Sequence, residues 1–241
     1  MRGKKICIII PSRMGSSRFP NKPLEDIGGK SMIRRVYEKC TESVADSVIV
    51  STEDKSIYNH VTEFGNCYMT PKFDNGTLRV CHTALEMSGD FDYIINVQGD
   101  EPFIDPIFLD RLINQLIFFR GGTIITGATE LKEEDRLNRS SVKMITDIND
   151  DVISFTRSPF FGKNKNIFKH VGIYGFHKSD IAEISKLNPS PGSTAEQLEQ
   201  IRWMEAGYRM KYTLSYKETI AIDTPEDLIR AKDLMIKEKM P

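Results

Sequence analysis

The 241-residue sequence has no excess of either charge: 33 lysines and arginines stand against 34 aspartates and glutamates, a formal net charge of −1. Holding a nucleic-acid backbone by counterion release needs a basic surplus, so a general nucleic-acid binder is disfavoured. Long apolar runs are also missing; Ile6–Ile10 stops at Pro11, too short for a membrane span or a signal core, and a cytoplasmic protein is expected. Cysteine is scarce. Cys7, Cys40, Cys67 and Cys81 lie far apart, with no CxxC pair and no zinc-site spacing, so free thiols in a reducing compartment are expected. There is no internal repeat and no low-complexity segment. With 39% apolar and 28% charged residues the chain is too apolar and too neutral to be disordered, and its length suits one enzyme-sized domain.

Short apolar segments alternate with segments of helical period. Lys5–Ile10, Ser47–Ser51, Asn66–Met69 and Tyr93–Val97 read as strands, while Met32–Glu42, Ile57–Phe64 and Thr77–Met87 return apolar residues every three or four positions. That alternation predicts a parallel sheet with right-handed crossovers. A helix from Pro106 to Phe119 and a strand over Thr123–Thr129 follow. From Ser140 the texture changes: Val142–Thr146, Val152–Thr156 and Phe168–Phe176 read as strands of a more antiparallel insertion at about 140–178 within a single domain. Helices are expected over Ser179–Leu187 and Thr194–Ala206, strands near Lys211–Leu214 and Thr219–Ile222, and a closing helix from Thr224, where threonine caps and Pro225 takes the first position.

Chemistry concentrates in three places. The loop Pro11–Leu24 follows the first strand, where ligands of open α/β sheets bind; its glycine and serines offer phosphate donors, and Arg13, Arg18 and Lys22 supply three positive charges. It contains neither the Gly-Lys-Ser/Thr of a Walker loop nor GxGxxG, so those phosphate-binding modes are excluded. Asn96–Pro102 closes the fourth strand and puts Asp100 beside Gly99, a position from which one carboxylate can hold Mg2+ while phosphates and water complete its shell. Asp223, just before the last helix, could add a second carboxylate; by itself it reads as part of a helix start. His170, Tyr174 and Glu199 have ordinary structural readings when taken singly: a hydrogen-bonded strand histidine, a core aromatic, and an exposed helix face shared with Gln200.

Taken in order, IIPSRMGSSRFPNKPL, NGTLR at Asn75–Arg79, NVQGDEP at Asn96–Pro102, SVKM at Ser141–Met144, Phe155-Thr156-Arg157, HVGIYGF at His170–Phe176, LEQIR at Leu198–Arg202 and IDTPEDL at Ile222–Leu228 span most of the chain. This series resembles the 3-deoxy-manno-octulosonate (Kdo) cytidylyltransferases. The first motif is shared with related cytidylyltransferases, whereas VQGDEP followed by HVGIY and IDTPED is more specific. The resemblance implies a Rossmann-like, mostly parallel sheet flanked by helices, with an inserted antiparallel region used in homodimerisation. It implies CTP and a sugar acid as substrates, Mg2+ as cofactor, and a place in lipopolysaccharide biosynthesis. By the same resemblance Arg13, Ser17, Arg18 and Lys22 contact CTP with Gly76, Thr77 and Arg79, and Asp100 and Asp223 hold the metal. Lys22, Asp100 and Arg13 are the catalytic candidates, and Gln98, Arg157, His170, Tyr174 and Glu199 face the sugar.

Two segments depart from the family pattern. Phe73–Arg79 lacks the usual histidine, serine and acid around Gly76-Thr77, and Ser190-Pro191 is followed by Gly192–Ala195 where Leu-Glu is usual. Changes of this kind bear on which acid is accepted. Kdo, its 8-amino form, or another anionic acceptor such as a nonulosonic acid or a phosphonate all stay open. A non-catalytic nucleotide-binding homologue is the alternative of another class, and the combination of Arg13, Lys22, Asp100 and Asp223 argues against it.

Overall fold

Strand β1 (Ile6–Ser12) is buried along its whole length, and its side chains divide by the strand period of two. Ile6, Ile8 and Ile10 enter one apolar cluster, Cys7 and Ile9 another on the opposite face. An isoleucine-rich run of this kind is stable only where helices cover both sides of a sheet. The computed structural model describes residues 3–15, 19–87, 89–161, 165–217 and 221–238.

After a 3-10 turn at Lys22–Leu24 and a small hairpin, β2 (Asp26–Ile27) with β3 (Lys30–Ser31), the chain runs α1 (Met32–Thr41), β4 (Ser47–Thr52), α2 (Lys55–Val61), β5 (Asn66–Met69), α3 (Gly76–Glu86), β6 (Tyr93–Asn96) and α4 (Pro106–Phe118). It continues through β7 (Thr123–Glu130), α5 (Glu133–Leu137), β8 (Lys143–Thr146), β9 (Val152–Thr156) and β10 (Ile167–His177). It closes with α6 (Ile181–Ile184), α7 (Pro191–Glu196), α8 (Gln200–Glu205), β11 (Arg209–Leu214) and α9 (Pro225–Glu238). The helix starts follow local chemistry: Ser31, Asn75 and Asp105 each accept a backbone N–H of the first turn, and Pro106 sits where no intrahelical donor is needed.

The sheet order is β11-β7-β10-β6-β1-β4-β5, and β8 joins the end of β10 with β9 beyond it. Neighbouring pairs in the path are parallel except those of β10, which runs antiparallel to both β6 and β7. The sheet is therefore mixed and mostly parallel. Strands β8, β9 and β10 form the antiparallel stretch expected after Ser140, but β10 also lies inside the central sheet. Its reversal carries His170 and Tyr174 to the edge where β1 and β6 end, with Tyr174 opposite Asn96. Two extra residues, Gly172 and Ile173, are taken up between Val171 and Tyr174; an even insertion keeps His170 and Tyr174 on one face.

Two expectations are corrected. The helix expected over Thr194–Ala206 is broken at Gln197, whose left-handed backbone (φ 54°) closes α7 and turns the next residues inward. Glu199 and Gln200 consequently do not form an exposed face; Gln200 is buried. No strand covers Ala221 and Ile222, because the Ile222 N–H donates to the Asp100 carbonyl (2.9 Å) in place of a sheet neighbour; Thr219 and Ile220 lie outside the described residues. The closing helix begins as expected, Thr224 and Asp227 capping one another reciprocally. A third apolar cluster, including Phe19, Ile27, Met32, Leu228 and Met235, fastens α9 to the hairpin and the first loop. The four cysteines are free thiols, and among the described residues no helix is long and apolar enough to cross a membrane.

Trp203, the sole tryptophan of the sequence, is completely buried and meets Tyr174 and Phe176 edge-on at 4.8 and 5.4 Å between ring centres. Phe176→Ala is expected to cost about 3–5 kcal/mol of stability. Urea unfolding followed by the Trp203 emission shift measures it directly.

Candidate active site

Two cavities open at the carboxyl ends of β1 and β6. The smaller, of about 350 Å³, is lined by Pro11, Ser12, Arg13, Gly15, Lys22 and Pro23 from the first loop and by Gly76 and Arg79 from the start of α3. A side chain at Gly76 would press on the Pro11 ring at 3.1 Å, and one at Gly99 on the Pro11 carbonyl at 3.0 Å, so glycine lets the three backbone segments meet. Asn75, in the segment that departs from the family pattern, caps α3 by accepting the Leu78 N–H at 2.9 Å and so keeps this helix start in place.

The larger cavity, of about 740 Å³, is lined by residues that include Arg157, Lys169, His170, Tyr174 and Glu199. Gln98, Asp100 and Asp223 line both cavities and form their junction. There the Lys22 ammonium lies 2.9 Å from Asp100 Oδ2 and 3.3 Å from Asp223 Oδ1. Burial pulls the Lys22 pKa down, but the two carboxylates overcome it and hold the amine above its ordinary value, fully charged.

A chain of buried hydrogen bonds runs behind the junction. Gln98 donates to Asn96, Asn96 donates to Thr77 (3.3 Å), and the Thr77 hydroxyl donates to Glu199 Oε1 at 2.5 Å, with Arg202 on the other oxygen at 3.4 Å. Burial raises the Glu199 pKa, while the Thr77 bond and Arg202 oppose the rise. His170 sits against Phe155 and Tyr174, its Nε2 2.9 Å from the Thr126 hydroxyl. Because that hydroxyl already donates to the Ile173 carbonyl at 2.8 Å, Nε2 carries the proton and Nδ1 is left as the acceptor.

The sequence-derived residues thus separate by place. Arg13, Lys22, Gly76 and Arg79 gather at the smaller cavity; Arg157, His170, Tyr174 and Glu199 at the larger; Gln98, Asp100 and Asp223 between them. Ser17 and Arg18 lie outside the described residues. Thr77 stands behind the cavity wall with its hydroxyl on Glu199, and Arg79 is buried with its guanidinium on Glu53, Thr70 and the Pro71 carbonyl. Sequence reasoning missed several contributors. Glu196 positions Arg157 by accepting its backbone N–H at 2.8 Å, and buried Lys143 donates to the Asn138 and Ser141 carbonyls and shapes the rim. Lys169 pairs with Asp135 at 2.9 Å. Glu101 lies on the wall of the larger cavity. The readable signal was a charge inside an otherwise apolar or turn-forming motif, as in SVKM and GDEP.

A mostly parallel α/β sheet, a basic loop after its first strand and paired carboxylates at its carboxyl edge define a nucleotidyltransferase. The chain belongs to the cytidylyltransferase family, on its 3-deoxy-manno-octulosonate branch: the model of the family described as cytidylyltransferase matches residues 7–220. The 3-deoxy-manno-octulosonate cytidylyltransferase of Fusobacterium nucleatum is 40% identical over 230 residues, covering 91% of this chain and 92% of the relative. That of Parabacteroides distasonis is 38% identical over 244 residues, covering 92% and 95%. A solved structure of CMP:2-keto-3-deoxy-manno-octonic acid synthetase complexed with CTP matches with a TM-score of 0.90 and 33% identity, over 98% of this chain and 100% of that one. A 4-diphosphocytidyl-2C-methyl-D-erythritol synthase from Anaerococcus prevotii, 18% identical over 97% of this chain and 99% of that one with a TM-score of 0.67, shares the fold. The protein is an enzyme, a cytidylyltransferase.

Burial, with the Arg157 charge second, pulls the His170 pKa from 6.5 down to about 3. The folded imidazole stays neutral while the unfolded one takes a proton below pH 6.5, so its contribution to stability is lost as pH falls from about 6.5 towards 3. His170→Gln, which keeps a donor for Thr126, is expected to lose less Tm between pH 7 and about 4.5 than the parent protein, measured by calorimetry at both pH values.

Proposed function

We propose that this cytidylyltransferase transfers CMP from CTP to the anomeric hydroxyl of Kdo or a closely related 3-deoxy-ulosonic acid and releases pyrophosphate. The observation that carries this reading is the junction: a nucleotide-sized basic cavity and a larger polar one share Gln98, Asp100 and Asp223. Two substrates bound on either side would meet there. The reaction forms a bond between the acceptor's anomeric oxygen and the α-phosphorus and breaks the bond to pyrophosphate. Catalysis is then chiefly positioning and neutralisation of charge.

Arg13 and Lys22 line the nucleotide side, where they would bind the phosphates and offset charge growing on the leaving pyrophosphate. Ser17, Arg18 and the Gly76–Arg79 segment complete that side by family resemblance. Arg157 would pair with the acceptor's carboxylate, and Gln98, His170 Nδ1, Tyr174 and Glu199 would receive its hydroxyls. The junction suits Mg2+, a hard cation that uses one or two carboxylates and fills its shell with phosphate oxygens and water. Asp100 and Asp223 would hold it, and a cationic ammonium already stabilised between them reflects the same field. When bound, the metal would lower the acceptor hydroxyl's pKa and screen the phosphates. The relatives' names favour Kdo as acceptor; a homodimer, a cytoplasmic location and a role in lipopolysaccharide biosynthesis belong to the same reading.

Purified protein with CTP and Mg2+ is expected to release pyrophosphate with Kdo or 8-amino-Kdo and not without an acid, with the CMP-sugar identified by mass. Silence with both acids while CTP still binds would refute the proposed acceptor class. Asp100→Asn is expected to lower kcat by about 10²-fold or more at unchanged Tm. Near-normal turnover in that variant would overturn the metal assignment.

A further inference from the structure

Glu101 stands apart from the other acids of the site. It is 5% exposed, and its Oε2 is buried without a hydrogen-bond partner among the described residues. Its backbone is fixed in a tight turn, the N–H donating to the Gln98 carbonyl at 3.3 Å and the carbonyl accepting from Ile104 at 3.2 Å. The residue lines the larger cavity beside Asp100, and its charged surroundings are Asp100 and Asp223 on one hand and Lys169 and Lys22 on the other. The nearer cations are engaged elsewhere: Lys169 with Asp135, Lys22 with Asp100 and Asp223.

A carboxyl that served only the fold would be paired, because an unpartnered buried one costs stability. Among the described residues no three acidic, histidine or cysteine side chains are grouped to hold a metal ion, Glu101 with Asp100 and Asp223 included. What remains is the cavity. A polyhydroxylated acid entering it would bring hydroxyl groups, and a carboxyl can bond one in either protonation state.

Resting on the acceptor class proposed above, we propose that Glu101 is an acceptor-binding residue, taking a hydroxyl at the reacting end of the sugar acid and orienting it towards Asp100 and Asp223. The cavity wall then reads the acceptor at two points of opposite kind, the carboxylate at Arg157 and a hydroxyl at Glu101. The residue borders the cavity while its unpartnered oxygen is closed to solvent, so a turn of the carboxyl about its terminal bond would let a substrate hydroxyl complete the unfilled bond, a local loss of stability retained for binding.

The test uses Glu101→Leu, which keeps bulk without polarity, and Glu101→Gln, which keeps a polar head. With Kdo as acceptor, Glu101→Leu is expected to raise the acceptor KM about tenfold or more while the CTP KM stays within about twofold, and Glu101→Gln to fall between. Without substrates, Glu101→Leu is expected to raise Tm by about 2–4 °C, since it removes a desolvated, unpaired carboxyl. An unchanged acceptor KM, a CTP KM rising in parallel, or a Tm that falls in both variants overturns the assignment. If the parent protein itself is silent with both Kdo and 8-amino-Kdo while CTP still binds, the acceptor class fails instead. The Tm measurement then decides alone: a rise supports a group kept for binding, and a fall assigns Glu101 to the fold.

Discussion

The site depends on one ammonium group. Lys22 draws together Asp100 and Asp223, carboxylates 78 and 201 positions away in the chain, and joins the first loop, the end of β6 and the entry to α9 at a single point. Its side chain is mostly buried (12% exposed), whereas Asp223 keeps 43% exposure, so the contact is strong at one end and open to exchange at the other. Partly buried ion pairs add little net stability because desolvation opposes attraction, but removing one partner leaves an uncompensated charge. The bridge is better understood as a device for placing charges than as a staple of the fold.

The scaffold behind it supplies rigidity from both faces of the sheet. The two large apolar clusters meet along β1, and the short hydrogen-bonded chain Gln98–Asn96–Thr77–Glu199 runs behind the junction from Gln98 to the wall of the larger cavity. Buried polar groups in such a chain have few alternative partners, and this makes their geometry specific. Strand β6 and helix α3 consequently fix where Gln98 and Glu199 stand relative to one another.

Much of this was legible in the sequence for an identifiable reason. Strands buried on both faces announce themselves as short apolar runs, and β1 and β6 fall within two residues of the bounds that Lys5–Ile10 and Tyr93–Val97 predict. Helix starts were legible through local caps such as Thr224-Pro225. The placement of Asp223 with Asp100 about the Lys22 ammonium was suggested by its position just before the last helix and strengthened by the family resemblance, although the contact itself is made by tertiary packing. The break at Gln197 was not legible: its left-handed backbone is imposed by the inward turn of Leu198 and Glu199, while local periodicity favours an unbroken helix. Glu101 was hidden for the opposite reason. Next to Gly99-Asp100 and Pro102 it reads as a turn residue, and only the closed cavity wall reveals that its carboxyl is buried.

Helix α9 and the hairpin β2–β3 form a clasp, closed by Ile27, Met32, Leu228 and Met235, and Asp223 hangs from that clasp. Synthesis runs from the amino end, so β1, Lys22 and Asp100 are made before Asp223 and before Thr224, Asp227 and Arg230, which line the larger cavity. A nascent chain therefore lacks both the second carboxylate at the junction and part of the larger cavity's wall. The fold delays completion of its reactive centre until the clasp can shut, and the junction gains its surplus negative charge, two carboxylates against one ammonium, only in the finished protein.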